Sequence, residues 1–196
     1  MKTLIIFNHP YKGSYCSAIL QSVINGLHKT GGEIDVLDLD FDGFNPVMTV
    51  DDLAAWRSGK TLDPKVSDYQ QRIQAASHLV FIFPIWWEVM PAMTKGFLDK
   101  VLLRTFAYDQ PTPGTPFKNL LLNLKSVTVI TTSSVPGFFY RLIYKNAVKH
   151  VMLTGGFKKI GIKNSHWIAL HNVNDVSEKK RKTWLSDIER RFSKLT

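Results

Sequence analysis

Five short apolar runs alternate along the chain with segments of helical periodicity, and this alternation restricts the fold more than any single motif does. The runs are KTLIIFN (2–8), EIDVLDL (33–39), HLVFIF (78–83), SVTVITT (126–132) and GIKNSHWIAL, within residues 160–170. Between the first two, Ala18, Ile19, Val23, Ile24 and Leu27 fall at helical spacing. Ser14 is placed to cap that helix, and Gly31-Gly32 to end it. Further helices are expected over 64–76, 92–103, 137–152 and 175–193, with a short one, DDLAAWRS, inside an irregular stretch at 40–63. Residues 105–119, with three Pro and one Gly, read as a long loop. Strands that alternate with helices in this way build a doubly wound parallel sheet with helices on both faces, an α/β architecture. HLVFIF is the most apolar run, so it is expected at the centre.

Five strands fit the flavodoxin-like order 2-1-3-4-5. In such sheets ligands bind at the carboxyl ends of the strands, near the switch point between strands 1 and 3. That places three loops on one rim: 8–17, 84–92 and 132–140.

The chain has 196 residues and suits one domain, residues 1–196, without internal repeats or linkers. Its one cysteine, Cys16, allows no internal disulfide. The N-terminal apolar run of four (Leu4 to Phe7) is too short for a signal-peptide core, and no stretch approaches the ~20 apolar residues of a membrane helix. A cytoplasmic protein is expected. The net charge of +9 is unevenly spread. Residues 1–140 hold 12 Lys and Arg against 12 Asp and Glu, whereas 141–196 hold 13 against 4. A solvated basic face accounts for that excess, and nucleic acid, a membrane surface or an anionic substrate could each exploit it. Nucleic acid is disfavoured: KKRK (179–182) lies in a helical pattern with acidic neighbours and no binding motif accompanies it.

The first loop, NHPYKGSYCSA (8–18), joins a strand to a helix N-terminus, where free backbone N–H groups and the helix dipole attract anions. Gly13 lets the chain bend, Ser14 and Ser17 offer hydroxyls, and His9 offers a donor or a charge. The P-loop and G-x-G-x-x-G patterns are both absent. In the second loop Pro84 ends the strand, and Ile85, Trp86 and Trp87 leave the sheet at its carboxyl edge. Two adjacent indoles suit a flat ligand, or else fill a gap between helix and sheet or a dimer interface. The third loop follows Thr131, Thr132, Ser133 and Ser134, whose hydroxyls and N–H groups suit a polar ring edge or simply a polar turn. Cys16 is read as a small residue in the first turn. His28, His78, His150, His166 and His171 are read as structural or surface residues. No Cys/His cluster has metal-ligand spacing, so no metal is expected.

Taken together, the three loops resemble the NAD(P)H:quinone oxidoreductase (DT-diaphorase-like) family of flavodoxin-like flavoproteins. The family's first motif is matched by His9 and Ser14-Tyr15, with Cys16 where Asn is usual. Its Phe-Pro-x-x-Trp-x-x-x-Pro-Ala segment is matched by Phe83, Pro84, Trp87, Pro91 and Ala92. Phe106-Ala107-Tyr108 and Thr131-Thr132 match two further segments. The likeness covers residues 2–140 and departs at Ser133-Ser134, where the family carries Gly-Gly. It implies a non-covalent flavin, FAD or alternatively FMN, held by His9, Ser14, Tyr15, Cys16, Pro84, Ile85, Trp86, Trp87, Thr131, Thr132, Ser133 and Ser134. It implies hydride transfer from NAD(P)H through flavin N5 to a quinone-like acceptor in ping-pong fashion; Tyr140 lies close to the position of the family's assisting Tyr, a place that Phe139 matches equally, and no His follows until His150. Trp86, Trp87 and Phe106 are expected to wall the acceptor site. A homodimer is implied, with Trp56 and the 105–119 loop as candidate contacts. Some members are ancillary subunits of potassium-efflux systems, and a flavin-bound regulatory protein is the alternative reading.

Overall fold

In the computed structural model, which describes residues 1–195, the five apolar runs form one parallel sheet. The strands are β1 (Lys2–Phe7), β2 (Glu33–Asp38), β3 (His78–Pro84), β6 (Ser126–Thr132) and β7 (Ser165–Leu170). Two further strands, β4 (Tyr108–Asp109) and β5 (Lys118–Asn119), pair antiparallel inside the segment expected as an irregular loop. The sheet order is therefore β2-β1-β3-β6-β7 in this numbering. Five strands and their parallel pairing match the expectation; the extra ladder between β3 and β6 was not foreseen. A two-residue pair carries too little periodicity to register in sequence.

β3 is buried along its whole length. Leu79, Phe81 and Phe83 enter one core cluster, and Val80 and Ile82 enter the other. A strand in contact with helices on both sides has no polar face, which is why its sequence does not alternate. On one face lie α1 (Tyr15–His28) and α6 (Glu178–Phe192). The other face is covered by α3 (Pro64–Ala75), α4 (Ala92–Val101) and a π-type helix, Lys149–Lys158. A short α2 (Val50–Arg57) lies in the 40–63 segment and carries a capping box between Thr49 and Asp52. Ser14 caps α1 by accepting from the Ser17 N–H, as expected.

Two expected elements differ. The single helix anticipated over 137–152 is split: α5 runs only over Gly137–Leu142, and Lys145 and Asn146 are both left-handed, with φ of 52° and 55°. Two consecutive left-handed residues cannot belong to a right-handed helix. The strand expected within 160–170 starts only at Ser165, because Gly161, at φ 99°, turns the chain first.

Candidate active site

The three loops meet at the carboxyl ends of β1, β3 and β6. Loop one touches loop two where the His9 ring stands edge-on to Trp86, with centroids 6.2 Å apart. Loop two is tied to loop three by the Ile85 N–H, which donates to the Thr132 carbonyl at 2.7 Å. Loop one is tied to loop three through the Cys16 Sγ–Thr132 Oγ1 contact of 3.4 Å. Burial pushes the Cys16 thiol up to about 11, so it serves as a small buried group and not as a nucleophile.

The second loop is a tight turn. Trp86 and Val89 exchange backbone hydrogen bonds of 3.0 and 3.2 Å, and both central residues, Trp87 and Glu88, are left-handed (φ 47° and 65°). This geometry is normally left to Gly and Asn. Holding Trp and Glu in it costs of order 1–2 kcal/mol per residue, and strain of this kind concentrates at functional sites. The result is a Trp87 side chain 95% exposed beside a Trp86 46% exposed. Relief of the strain gives a test: Glu88→Gly is expected to raise stability by about 1 kcal/mol in chemical denaturation. A drop instead shows that the Glu88 side chain, whose Oε2 is buried without a partner among the described residues, is needed there.

Backbone donors are left free on each of the three loops. Among the described residues the N–H groups of Lys12, Gly13, Tyr15 and Cys16 have no acceptor in the protein, nor do those of Trp87 and Glu88, nor those of Ser134 and Val135. The first set surrounds the α1 N-terminus, where a phosphate is stabilised by the dipole. The other two lie on the Trp86–Val89 turn and just after β6. A flat polar ring with a phosphate tail therefore finds a donor set for each of its parts, and a flavin fits these residues.

Several expected site residues have other partners. Tyr15 Oη donates to the Arg181 carbonyl at 2.8 Å, and burial raises the hydroxyl to about 12; this hydroxyl faces α6, not the rim. Thr131 is buried and accepts from Trp167 Nε1 at 3.0 Å. Tyr140 is fully buried: its hydroxyl donates to the Glu88 carbonyl at 2.8 Å and accepts from the Val148 N–H at 3.2 Å. Burial raises its pKa. It pins α5 to the Trp87 turn instead of presenting a proton at the surface. Phe106, expected to wall the acceptor site, is partly buried and packs against the core. His9, Ser14, Pro84, Ile85, Trp86, Thr132, Ser133 and Ser134 do lie where the three loops come together, with Trp87 extending outward.

Two further residues border the rim. Asn8 is buried, donating to Asp40 at 2.7 Å and accepting from Thr94 at 2.8 Å, and so fixes the exit of β1. His171, read as structural or surface, lies beside the β6 exit with Nδ1 2.8 Å from Ser133 Oγ. Clefts of about 370 Å³ between β7 and α6, and about 310 Å³ beneath the β4–β5 ladder, lie away from this rim.

A five-stranded parallel sheet with helices on both faces defines a doubly wound α/β protein, whose ligands bind at the carboxyl ends of the strands. A family model described as a flavodoxin-like fold matches residues 1–193, and the chain belongs to that flavodoxin-like family. It is 27% identical over 186 residues to an uncharacterised NAD(P)H oxidoreductase of Haemophilus influenzae, covering 94% of this chain and 91% of that one. It is 29% identical over 160 residues to NAD(P)H dehydrogenase [quinone] 1 of Rattus norvegicus, covering 72% of this chain but only 56% of the rat protein. Among solved structures, Smu.1420 from Streptococcus mutans superposes with a TM-score of 0.88 at 28% identity over the full length of both chains. The NAD(P)H:quinone oxidoreductase of Methanothermobacter marburgensis shares the fold, with a TM-score of 0.90 at 24% identity over 100% of this chain and 99% of that one.

Proposed function

We propose that the protein is a flavin-dependent NAD(P)H oxidoreductase of the quinone reductase type. The observation that carries this reading is that all three loops at the carboxyl edge of the sheet carry backbone N–H groups without a protein acceptor, and that one of them exposes two indoles. The names of the relatives from Haemophilus influenzae and Rattus norvegicus support it. A bound flavin would supply the two-electron chemistry between NAD(P)H and a quinone-like acceptor. The chain's residues do the rest. The Lys12–Cys16 turn would hold the phosphate, Trp86 and Trp87 would wall the ring, and the Ser134 and Val135 N–H groups would meet charge at its polar edge. The protein contributes no acid from Tyr140, whose hydroxyl is committed to Glu88 and Val148. FAD is the first candidate because of His9, with FMN as the alternative; a structural neighbour of the same fold from Bacillus anthracis is described as an FMN-dependent NADH-azoreductase.

The purified protein is expected to take up flavin and to lose its visible flavin absorbance when NADPH or NADH is added without oxygen. Cofactor released by heat then separates FAD from FMN. Trp87→Ala is expected to weaken flavin binding about tenfold, the loss of one aromatic contact. A protein that stays colourless in excess FAD and FMN rules the reading out.

We also infer a homodimer. Trp87, Phe138, Leu142 and Ile143 are each more than half exposed, and burying them against a second copy would remove apolar surface from water. Sedimentation is expected to give twice the mass of 22.3 kDa. A monomer at micromolar concentration contradicts it.

A further inference from the structure

The loop after β7 grips the two serines at the exit of β6 with side chains as well as backbone. Ser133 N–H donates to the Leu170 carbonyl, and the Ser133 carbonyl accepts from the Val173 N–H, both at 3.0 Å. Asn174 Nδ2 donates to Ser134 Oγ at 2.9 Å. Ser133 Oγ donates to the Val135 carbonyl at 3.2 Å and lies 2.8 Å from His171 Nδ1. A hydroxyl has one proton, so when that proton goes to Val135 the imidazole must donate to the serine. This selects the Nδ1–H tautomer of His171 and closes a chain from His171 through Ser133 to Val135.

The imidazole is wedged in place. Its ring lies 5.3 Å from that of Tyr140 and 6.0 Å from that of Trp167. A Cβ on Gly137 would stand 2.8 Å from His171 Cδ2, so only glycine at the start of α5 admits this ring. At the far end of the chain of bonds, the Ser134 and Val135 N–H groups are left without a protein acceptor.

We propose that His171 is a positioning residue of the flavin site, acting through Ser133 to hold the Ser134 and Val135 N–H groups toward the ligand's polar edge. The inference rests on the flavin reading above. It differs from a packing role, because it needs a hydrogen-bond donor at the place of Nδ1 and not merely a ring.

The test is flavin affinity, read by quenching of FMN and FAD fluorescence on titration with the protein, together with the apoprotein unfolding midpoint. His171→Ala and Ser133→Ala are each expected to weaken binding at least about tenfold. His171→Asn offers an amide N–H near the place of Nδ1 and is expected to restore affinity to within about threefold of wild type. Wild-type affinity in Ser133→Ala overturns the proposal, as does a His171→Asn variant that binds as poorly as His171→Ala. If His171→Ala does not fold, Ser133→Ala and His171→Asn decide between the two outcomes. Failure of the wild-type protein to bind either flavin sinks the underlying reading instead.

Discussion

Replacement of Lys100 by alanine is expected to cost about 3 kcal/mol, the lower end of what the loss of one partner from a buried ion pair removes. The ammonium sits on α4 with its side chain 5% exposed. It lies 3.3 Å from Asp52 and 3.8 Å from Asp63, 3.4 Å from the Val47 carbonyl, and above the Phe44 ring. Asp52 closes the capping box of α2, and Asp63 caps α3. One cation thus ties α4 to the starts of two helices across the irregular 40–63 segment. Removing it leaves two carboxylates facing each other in a poorly solvated pocket, and their residual exposure keeps the cost at the lower end. Chemical denaturation measures it, and a loss below about 1 kcal/mol shows that water replaces the cation. The double variant Lys100→Met with Asp52→Asn is expected to recover part of the loss, because it removes charge from both sides at once.

Stability is also expected to fall as the pH drops from about 6.5 to about 4, and His78 is the main cause. Its imidazole is buried at the start of β3, and desolvation lowers its pKa from 6.5 to about 4. His166 and Arg191 add to the lowering, and the hydrogen bond with Ser126 opposes it. The Phe192 ring of α6 stands edge-on above it, and Nε2 has no partner among the described residues. A folded-state pKa below the unfolded one means that the unfolded chain binds the proton first. The stabilisation is whole above pH 6.5 and is lost on acidification down to about 4, by up to about 3 kcal/mol. Denaturation at a series of pH values gives the slope, and His78→Asn is expected to flatten it. His171 is also lowered by burial and contributes with the same sign, so part of the slope persists. Asp35, held low by Arg72, loses its contribution only at more acid pH, below the ordinary carboxylate range. An unchanged slope in His78→Asn assigns the effect elsewhere.

Much of the candidate site was legible because strand-to-helix exits leave short local marks. Pro84 followed by two Trp marks the end of β3, and Ser14 before an apolar helical face marks the start of α1. Partners of those residues were less legible. Tyr15 was expected at the phosphate, yet its hydroxyl bonds to Arg181, 166 positions away. Thr131 follows the alternation of β6 onto the opposite face from Thr132, so Trp167 takes its hydroxyl while Thr132 meets Cys16. The departure at Ser133-Ser134 reads in the sequence only as added bulk near the ligand edge, because the partners of both serines lie beyond β7.

By itself the sequence determined the α/β class, the parallel sheet and the loops that share its carboxyl edge. Periodicity and turn chemistry act over a few residues and survive in the linear order. Only the tertiary structure decided which groups remain free to act. Tyr140 is used up by Glu88, 52 positions distant, His171 is drawn to Ser133 over 38, and Lys100 is buried against a carbonyl 53 positions away. Hydrogen bonds and ion pairs of that span depend on the final packing of strands and helices, and no local pattern encodes them.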